Sequence, residues 1–165
     1  MTKPEFQKQM LFQLYRTWAT ANPMFLRLGE GRFTITRREW RVLATLVHFE
    51  CLRSSELAQA AELDVARTSK TVTRLVEKGW VSRHKSKTNA RSILIQIEPA
   101  GQQLYKSMMP LIVEMNQMLT QDVSPQEMAV FTSVLDKIMF RAKEMNTAQI
   151  IPEKVRGPKA PKLQS

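Results

Sequence analysis

The chain has 165 residues, 43% of them hydrophobic, which is enough for one folded domain with a core but little for two. Its 25 Lys and Arg residues against 15 Asp and Glu residues give a net charge of +10. This excess favours a polyanionic partner, with nucleic acid ahead of an anionic membrane surface. The sequence has no long apolar run and no charged-then-apolar opening segment, so we expect a cytoplasmic protein with no membrane partner.

One cysteine, Cys51, and two histidines are a poor set of ligands for a structural metal, and we expect neither a metal nor a cofactor. The cysteine follows Glu50, at a helix end where a short connecting strand is expected to begin. A neighbouring carboxylate disfavours a thiolate, and the chain offers no second cysteine to resolve an oxidised one. We therefore expect no redox role for Cys51.

The first helix is predicted to begin at Thr2-Lys3-Pro4-Glu5, which has the form of a capping box. Its apolar positions share one face at three- and four-residue spacing: Phe6, Met10, Leu11, Leu14 and Trp18. Asn22-Pro23 interrupts this pattern, so the helix either kinks at Pro23 or gives way to a second helix capped by Asn22. Gly29-Glu30-Gly31 predicts a loop.

A second box, Thr36-Arg37-Arg38-Glu39, predicts a helix that ends before Arg53. Its inward positions are Trp40, Leu43, Ala44 and Val47. Ser54 is predicted to cap the next helix, which runs through Glu62. The inward positions of that helix are Leu57, Ala58 and Ala61.

After a turn of a few residues, Asp64 is predicted to cap another helix that ends at Lys78-Gly79. The predicted buried stripe is Val65, Val72, Leu75 and Val76. Two short helices with a tight connection are typical of a helix-turn-helix motif.

The outer face of this second helix is polar and basic. Its members are Arg67, Thr68, Ser69, Lys70, Thr73 and Arg74. Between Val65 and Ile97 the chain has eight Lys or Arg residues and one acid, Glu77. Such side chains reach phosphates and base edges without burying unpaired carboxylates, which favours DNA binding. The alternative for the helix alone is an ordinary solvated surface.

The segments Trp80 to Lys85 and Ser92 to Ile97 are predicted to form a β-hairpin, because Ile93, Ile95 and Ile97 alternate. The tip is polar and basic, and its candidate DNA-binding residues are Lys85, Lys87, Asn89 and Arg91. An Arg at such a tip fits the strong negative potential of the minor groove. The alternative is a solvated hairpin turn.

Three segments together resemble the MarR family: Ser-Ser-Glu-Leu-Ala, Ala-Arg-Thr-Ser-Lys-Thr-Val-Thr-Arg-Leu-Val-Glu-Lys-Gly-Trp-Val, and Asn89-Ala90-Arg91-Ser92. The resemblance covers about residues 36 to 105. It implies that the second helix of the pair is the recognition helix and that Arg91 is the wing-tip arginine. The family usually has an Asp where this chain has Asn89, which implies looser or more salt-sensitive wing contacts.

The rest of the chain predicts two long helices. One begins at Pro99, contains Pro110 as an expected kink, and carries Leu104, Met108, Leu111, Met115 and Leu119. The other begins at the box Ser124-Pro125-Gln126-Glu127 and carries Met128, Phe131, Leu135, Ile138 and Met139. The apolar faces of these two helices either pack on the first helix of the same chain or form a dimer interface. The resemblance implies a homodimer with interlocked terminal helices.

We therefore expect a mainly α fold with a small β-hairpin wing, in which a winged helix-turn-helix core is flanked by N- and C-terminal dimerisation helices. The predicted segments are an N-terminal dimerisation helix and loop (1–35), a DNA-binding lobe (36–98), C-terminal dimerisation helices (99–146) and a basic, Pro-containing tail expected to be flexible, either extended or mobile (147–165).

The resemblance also implies an effector, such as a small aromatic acid. Candidate ligand-binding residues are Arg16 for a carboxylate and Tyr15, Trp18, Trp40 and His48 for aromatic walls. The alternative is that Trp18 and Trp40 belong to the core and that His48 is hydrogen-bonded near a helix end.

The functional hypothesis is a ligand-responsive repressor that binds a palindromic duplex-DNA operator as a homodimer. The alternative is a winged-helix module for RNA or protein interaction without operator specificity, because the fold alone does not fix function. We expect no enzyme, because the sequence has no Gly-rich phosphate loop and no nucleophile motif.

Overall fold

The computed structural model describes residues 4–85 and 92–151 of the chain. Its helices and strands are α1 (Glu5–Lys8), α2 (Met10–Leu26), a π-helical segment (Arg27–Arg32), α3 (Arg37–Phe49), β1 (Cys51–Arg53), α4 (Ser54–Ala60), α5 (Val65–Glu77), β2 (Val81–Lys85), β3 (Ile93–Ile97), α6 (Pro99–Leu119) and α7 (Pro125–Thr147). This mainly helical fold with a small antiparallel sheet confirms the predicted fold class. Within the described ranges, no helix is both long and apolar enough to cross a membrane.

The chain divides into two compact units, a first unit up to Asn116 and a second unit from Gln117. The boundary lies near the end of α6, so the last residues of that helix belong to the second unit. The four functional segments predicted from the sequence stay a prediction.

The amino-terminal helix is interrupted, whereas the sequence predicted one continuous helix from the Thr2 box. Gln9 is extended, with φ −63° and ψ 132°, and separates α1 from α2. Thr2 lies outside the described residues, and Glu5 forms an ion pair with Lys8 at 2.9 Å. The prediction of an unbroken helix is therefore wrong at Gln9.

Pro23 lies inside α2, and no new helix starts at Asn22. Asn22 instead uses its side-chain oxygen to accept two hydrogen bonds from Arg37, at 3.1 and 2.7 Å. After Leu26 the helix continues as the π-helical segment, so the predicted loop at residues 29–31 is wrong. The close approach of Gly29 explains why glycine fits here, because a Cβ on it would lie 2.8 Å from the Ile35 carbonyl oxygen.

Helix α3 begins as predicted. The Thr36 hydroxyl accepts from the Glu39 N–H at 3.3 Å, and the Glu39 carboxylate accepts from the Thr36 N–H at 2.7 Å. The most buried apolar side chains of α3 are Val42, Leu43 and Leu46. Trp40 is half-buried against the core.

The cap of α4 differs from the prediction by one residue. Arg53 takes the extended cap position, and its N–H donates to Glu56 at 2.9 Å. Ser54 is already the first helical residue, so its predicted capping role is wrong. The inward positions are confirmed, since Leu57, Ala58 and Ala61 are buried.

The core of the first unit lies between α3, α4, α5, the sheet and α6. The sheet has the order β1-β3-β2 with both pairs antiparallel, and it pairs Leu52 with Ile95 and His84 with Leu94. Burying one large aliphatic side chain stabilises a fold by about 1.5–3 kcal/mol. Side chains from all these elements make the core, including Leu43, Leu57, Val72, Leu75, Val81, Ile95, Ile97 and Met108.

The buried face of α5 contains two threonines that the predicted stripe lacked. Asp64 caps the helix as predicted, by accepting from the Arg67 N–H at 2.7 Å. Val65 is 58% exposed, whereas Thr68 is fully buried and Thr71 is 6% exposed. Each threonine hydroxyl donates to the carbonyl four residues earlier, at 2.9 and 2.8 Å, so its polar group is satisfied inside the core.

The second unit contains α7, which starts at the predicted capping box. The Ser124 N–H donates to Glu127 at 2.8 Å, and the Ser124 hydroxyl accepts from the Glu127 N–H at 3.3 Å. No residue of α7 is buried in the single chain. Its exposed apolar side chains are Val130, Phe131, Val134, Met139, Phe140 and Met145.

An ion pair between a buried carboxylate and a partly exposed lysine joins α3 to the end of α5. The Glu39 carboxylate is 2% exposed and accepts from the Lys78 ammonium at 2.9 Å. The same ammonium donates to the Thr34 carbonyl at 2.7 Å and lies 4.8 Å from the centre of the Trp80 ring. Burial acts to raise the pKa of Glu39, but the hydrogen bonds from Thr36 and Lys78 outweigh it and hold that pKa below its usual value.

We expect Glu39→Gln to lower the free energy of unfolding at pH 7 by about 1–3 kcal/mol, because it weakens charge-assisted hydrogen bonds and leaves the Lys78 ammonium without its anion. The folded-state pKa of Glu39 is lowered, so this stabilisation is present above the unfolded pKa and is lost as pH falls through the folded pKa. Urea unfolding at several pH values and one protein concentration measures the effect.

Glu114→Gln, a substitution of an exposed carboxylate on α6, is the matched control and should change stability little. Equal unfolding energies for Glu39→Gln and the native chain at pH 7 would contradict the role given to the ion pair.

Candidate nucleic-acid interface

The outward face of α5 presents most of the predicted recognition residues to solvent. The exposed members are Arg67, Ser69, Lys70, Thr73 and Arg74. Thr68 is not among them, because its side chain lies in the core and its hydroxyl is bound to the Asp64 carbonyl. Its predicted place on the outer face is therefore wrong.

Arg83 of β2, one of the eight cations between Val65 and Ile97, supports this face from the side. Its guanidinium donates to the Thr73 hydroxyl at 2.8 Å and to the Ser69 carbonyl at 3.4 Å. The Thr73 hydroxyl also donates to the Ser69 carbonyl at 3.1 Å, so its orientation is fixed from two sides. Strand alternation is the available signal, because Arg83 shares a strand face with the buried Val81.

The predicted wing is partly described. Strands β2 and β3 form the hairpin, and their last described pair joins Lys85 to Ile93. Lys85 is exposed at this end of the strand. Lys87, Asn89 and Arg91 lie outside the described residues, so their contacts stay a prediction.

A groove of about 630 Å³ lies beside the outer face of α5, within the first unit. Six cationic side chains and three carboxylates line it. The cations are Arg37, Arg38, Arg41, Arg67, Lys70 and Arg74, and the carboxylates are Glu30, Glu39 and Glu62. The groove adds a second row of cations, on α3, to the basic surface of α5.

Arg37 is the least expected member of this groove. Its guanidinium lies 4.1 Å from the centre of the Phe25 ring and 5.6 Å from that of Trp18, and it donates to Asn22. Burial lowers the pKa of Arg37, and the nearby charge of Arg41 lowers it further. The sequence showed Arg37 only as a residue of the capping box, so its place between two aromatic rings could not be predicted.

The five predicted ligand-binding residues do not form one site. Tyr15 and Trp18 are neighbours, with ring centres 6.3 Å apart, and Arg16 is exposed beside them. Trp40 stacks on Tyr105 at 5.3 Å. His48 is exposed, and its ring meets the edge of Phe49 at 4.7 Å. Of the five, only Trp18 lines the groove.

Cys51 is half-buried in β1. Burial raises the pKa of its thiol, and the charge of Glu56 raises it further, so the reactive thiolate is scarce at neutral pH. Among residues 4–85 and 92–151, no group of His, Cys, Asp and Glu side chains is arranged to hold a metal ion.

Comparison with known proteins finds similar sequences and similar folds. A sequence model of the MarR family matches residues 35–93. The multiple antibiotic resistance protein MarR of Escherichia coli is 26% identical over 106 residues, which is 64% of this chain and 74% of that protein. The protein of the same name from Salmonella typhimurium is 24% identical over the same length.

Solved structures share the fold. Bordetella bronchiseptica BpsR, a protein whose DNA binding is regulated by 6-hydroxynicotinic acid, matches with a TM-score of 0.76 at 19% identity, over 84% of this chain and 98% of that one. PcaV, a transcriptional regulator from Streptomyces coelicolor solved with its natural ligand, gives a TM-score of 0.75 at 18% identity, over 86% and 99%. A mutant of Escherichia coli MarR bound to operator DNA gives a TM-score of 0.69 at 24% identity, and the match covers 82% of this chain and 99% of that one.

The matched segment 35–93 contains α3, the helix pair α4 and α5, and the start of the hairpin, which are the elements that build the basic surface. The related proteins are transcriptional regulators rather than enzymes. The match over residues 35–93 and the shared fold therefore make this chain similar to the MarR family of winged helix-turn-helix transcription regulators.

Proposed function

We propose that this chain is a cytoplasmic repressor that binds a palindromic duplex-DNA operator as a homodimer and carries out no enzymatic reaction. The observation that carries the proposal is the exposed face of α5, where Arg67, Lys70 and Arg74 stand with Ser69 and Thr73. Arg67 pairs with the Asp64 cap at 3.1 Å, whereas Lys70 and Arg74 form no ion pair among the described residues. Arginine and lysine contact phosphates and guanine edges, and hydroxyls serve either.

The rigidity of this face supports sequence-specific DNA binding over non-specific DNA binding. Thr68 and Thr71 fix the inner side of α5 in the core, and Asp64 caps its start. Arg83 holds Thr73 from the side of the hairpin. Side chains held in place by their neighbours lose less conformational freedom on binding, which favours discrimination between sequences.

The exposed apolar surfaces support the homodimer. In the first unit, α1 and α2 expose Phe6, Leu11, Tyr15 and Trp18, each by half or more. In the second unit, α7 exposes Phe131 and Phe140 and buries nothing. Surfaces of this kind mark association sites. A symmetric dimer would also set two recognition helices about 34 Å apart, as a palindrome requires.

An aromatic acid is the effector that we propose. BpsR responds to 6-hydroxynicotinic acid, and PcaV has a natural ligand. In this chain the rings of Tyr15 and Trp18 lie side by side on α2, with centres 6.3 Å apart, and Arg16 is exposed on the same turn. They combine a cation for a carboxylate with two rings for stacking.

DNA binding is tested by a mobility shift with duplex from beside the protein's own gene, competed by random duplex and by RNA. We expect the native chain to prefer the specific duplex, and Arg74→Ala to weaken binding there by about 1–3 kcal/mol and less on random duplex. Lys106→Ala, on the exposed surface of α6, is the control. Competition by RNA as strong as by the specific duplex would instead support the RNA-binding alternative.

The wing is tested by Arg91→Ala. Because a minor-groove arginine adds both a phosphate-directed charge and a fit to the narrow groove, we expect at least an approximately tenfold loss of operator affinity at fixed salt, with the dimer intact by size-exclusion chromatography. Unchanged affinity in that titration would remove Arg91 from the interface.

The effector is tested by thermal shift with 6-hydroxynicotinic acid and benzoate. A ligand at 100 times its Kd stabilises the folded state by about 2.7 kcal/mol, which for a chain of this size raises Tm by about 5–10 °C. Arg16→Gln should reduce the shift for the acids, and benzamide, which has no carboxylate, should give little. If neither acid raises Tm at millimolar concentration, the aromatic-acid proposal fails.

A further inference from the structure

We propose that Arg38 and Arg41 of α3 bind the phosphate backbone of DNA on the side of the recognition helix away from the wing. This inference rests on the proposed function, because it assumes that α5 enters the major groove. It assigns α3, which belongs to neither the helix pair nor the hairpin, a direct part in the interface.

The two rows of cations face each other across the groove. On α3, Arg38 and Arg41 are three residues apart and so lie on one side of the helix, with Arg37 beside them. On α5, Arg67, Lys70 and Arg74 follow at spacings of three and four. Helices α3 and α5 pack together, so both rows belong to one continuous surface.

Of the six cations that line this groove, Arg67 alone forms an ion pair among the described residues, with Asp64 at 3.1 Å. In the part of the chain that the structure describes, Arg38, Arg41, Lys70 and Arg74 form no ion pair with a carboxylate. Of the three lining carboxylates, Glu39 is bound to Lys78, while Glu30 and Glu62 are exposed. Repulsion among the cations is relieved when a polyanion occupies the groove.

Arg37 stiffens the α3 row. Its guanidinium is fixed between Phe25 and Trp18 and bound to Asn22, so the first turn of α3 is tied to α2. Partial burial lowers the pKa of Arg37, and the charge of the neighbouring Arg41 lowers it further. Arg37 is therefore a positioning residue, and the exposed Arg38 and Arg41 are the proposed contacts.

The groove and the hairpin lie on different flanks of α5. At 100° per residue, the directions of Arg67, Lys70 and Arg74 average about 110° away from those of Ser69 and Thr73, which Arg83 contacts. A helix in the major groove, which is about 12 Å wide, has a phosphate strand on each side. If the hairpin approaches one phosphate strand of the DNA, Arg38 and Arg41 of α3 face the other phosphate strand.

The test is the salt dependence of DNA binding by the full chain carrying Arg38→Gln and Arg41→Gln together. Each phosphate contact contributes about 0.9 to the slope of log affinity against log salt, so we expect the slope to fall by about 2 and affinity at 0.1 M salt to fall at least about tenfold. Because phosphates carry no sequence information, the loss should be equal on operator and random duplex.

The matched control removes the same charge elsewhere, through Lys106→Gln and Lys137→Gln, both on exposed helix surfaces. An unchanged slope for the arginine pair, or a change no larger than that of the control pair, overturns the proposal. Each single arginine variant should lower the slope by about 1, which keeps the test decisive if the double variant does not fold.

Two further outcomes separate this inference from its premise. If the native chain shows no preference for duplex DNA, the proposed function fails. If the native chain binds operator and Arg74→Ala weakens it, but the arginine pair affects only stabilisation by inorganic phosphate in a thermal shift, the groove is a site for a free anion and the phosphate-backbone contact is wrong.

Discussion

The ion pair between Glu39 and Lys78 fixes the geometry on which the basic surface depends. Glu39 is the carboxylate residue of the capping box that begins α3. Lys78 is the first residue after α5, and it is followed by Gly79, whose φ of +70° begins the turn into β2. Removing Lys78 leaves the Glu39 carboxylate, which is 2% exposed, as an uncompensated buried charge, and this costs far more than the loss of an exposed pair would. Three junctions therefore depend on one contact: the start of α3, the end of α5 and the entry to the hairpin.

The features that the sequence predicted well are local ones. The caps at Thr36, Asp64 and Ser124 depend on residues three positions away, so the pattern alone specifies them. Contacts between residues far apart in the sequence cannot be predicted from local patterns. Glu39 meets a lysine 39 positions later, and Arg83 holds Thr73 ten positions earlier. Strand alternation indicates the face on which Arg83 lies, but no local pattern specifies either partner.

The errors in the predicted elements have the same physical origin. The spacing of apolar residues predicted Val65 in the core, but the buried positions of α5 are instead Thr68, Thr71 and Leu75, at spacings of three and four. Threonine can be buried there because its hydroxyl donates to a carbonyl of its own helix. Gly29 and Gly31 suggested a loop, yet the chain stays helical there, and the carbonyl of Ile35 lies where a side chain on residue 29 would be. Tertiary packing, not local preference, decided both places.

The ion pair also shapes the electrostatics of the surface it supports. Glu39 lines the cationic groove, where a free carboxylate would repel a phosphate. Lys78 and the Thr36 N–H bind that carboxylate from the inner side, so its charge is already satisfied before any ligand arrives. Lys78, which does not line the groove, therefore has two roles. It stabilises the fold by pairing with Glu39, and it leaves the arginines of α3 and α5 as the dominant charges that face solvent. Stability and anion binding are coupled at this residue, because both depend on the same buried carboxylate being paired.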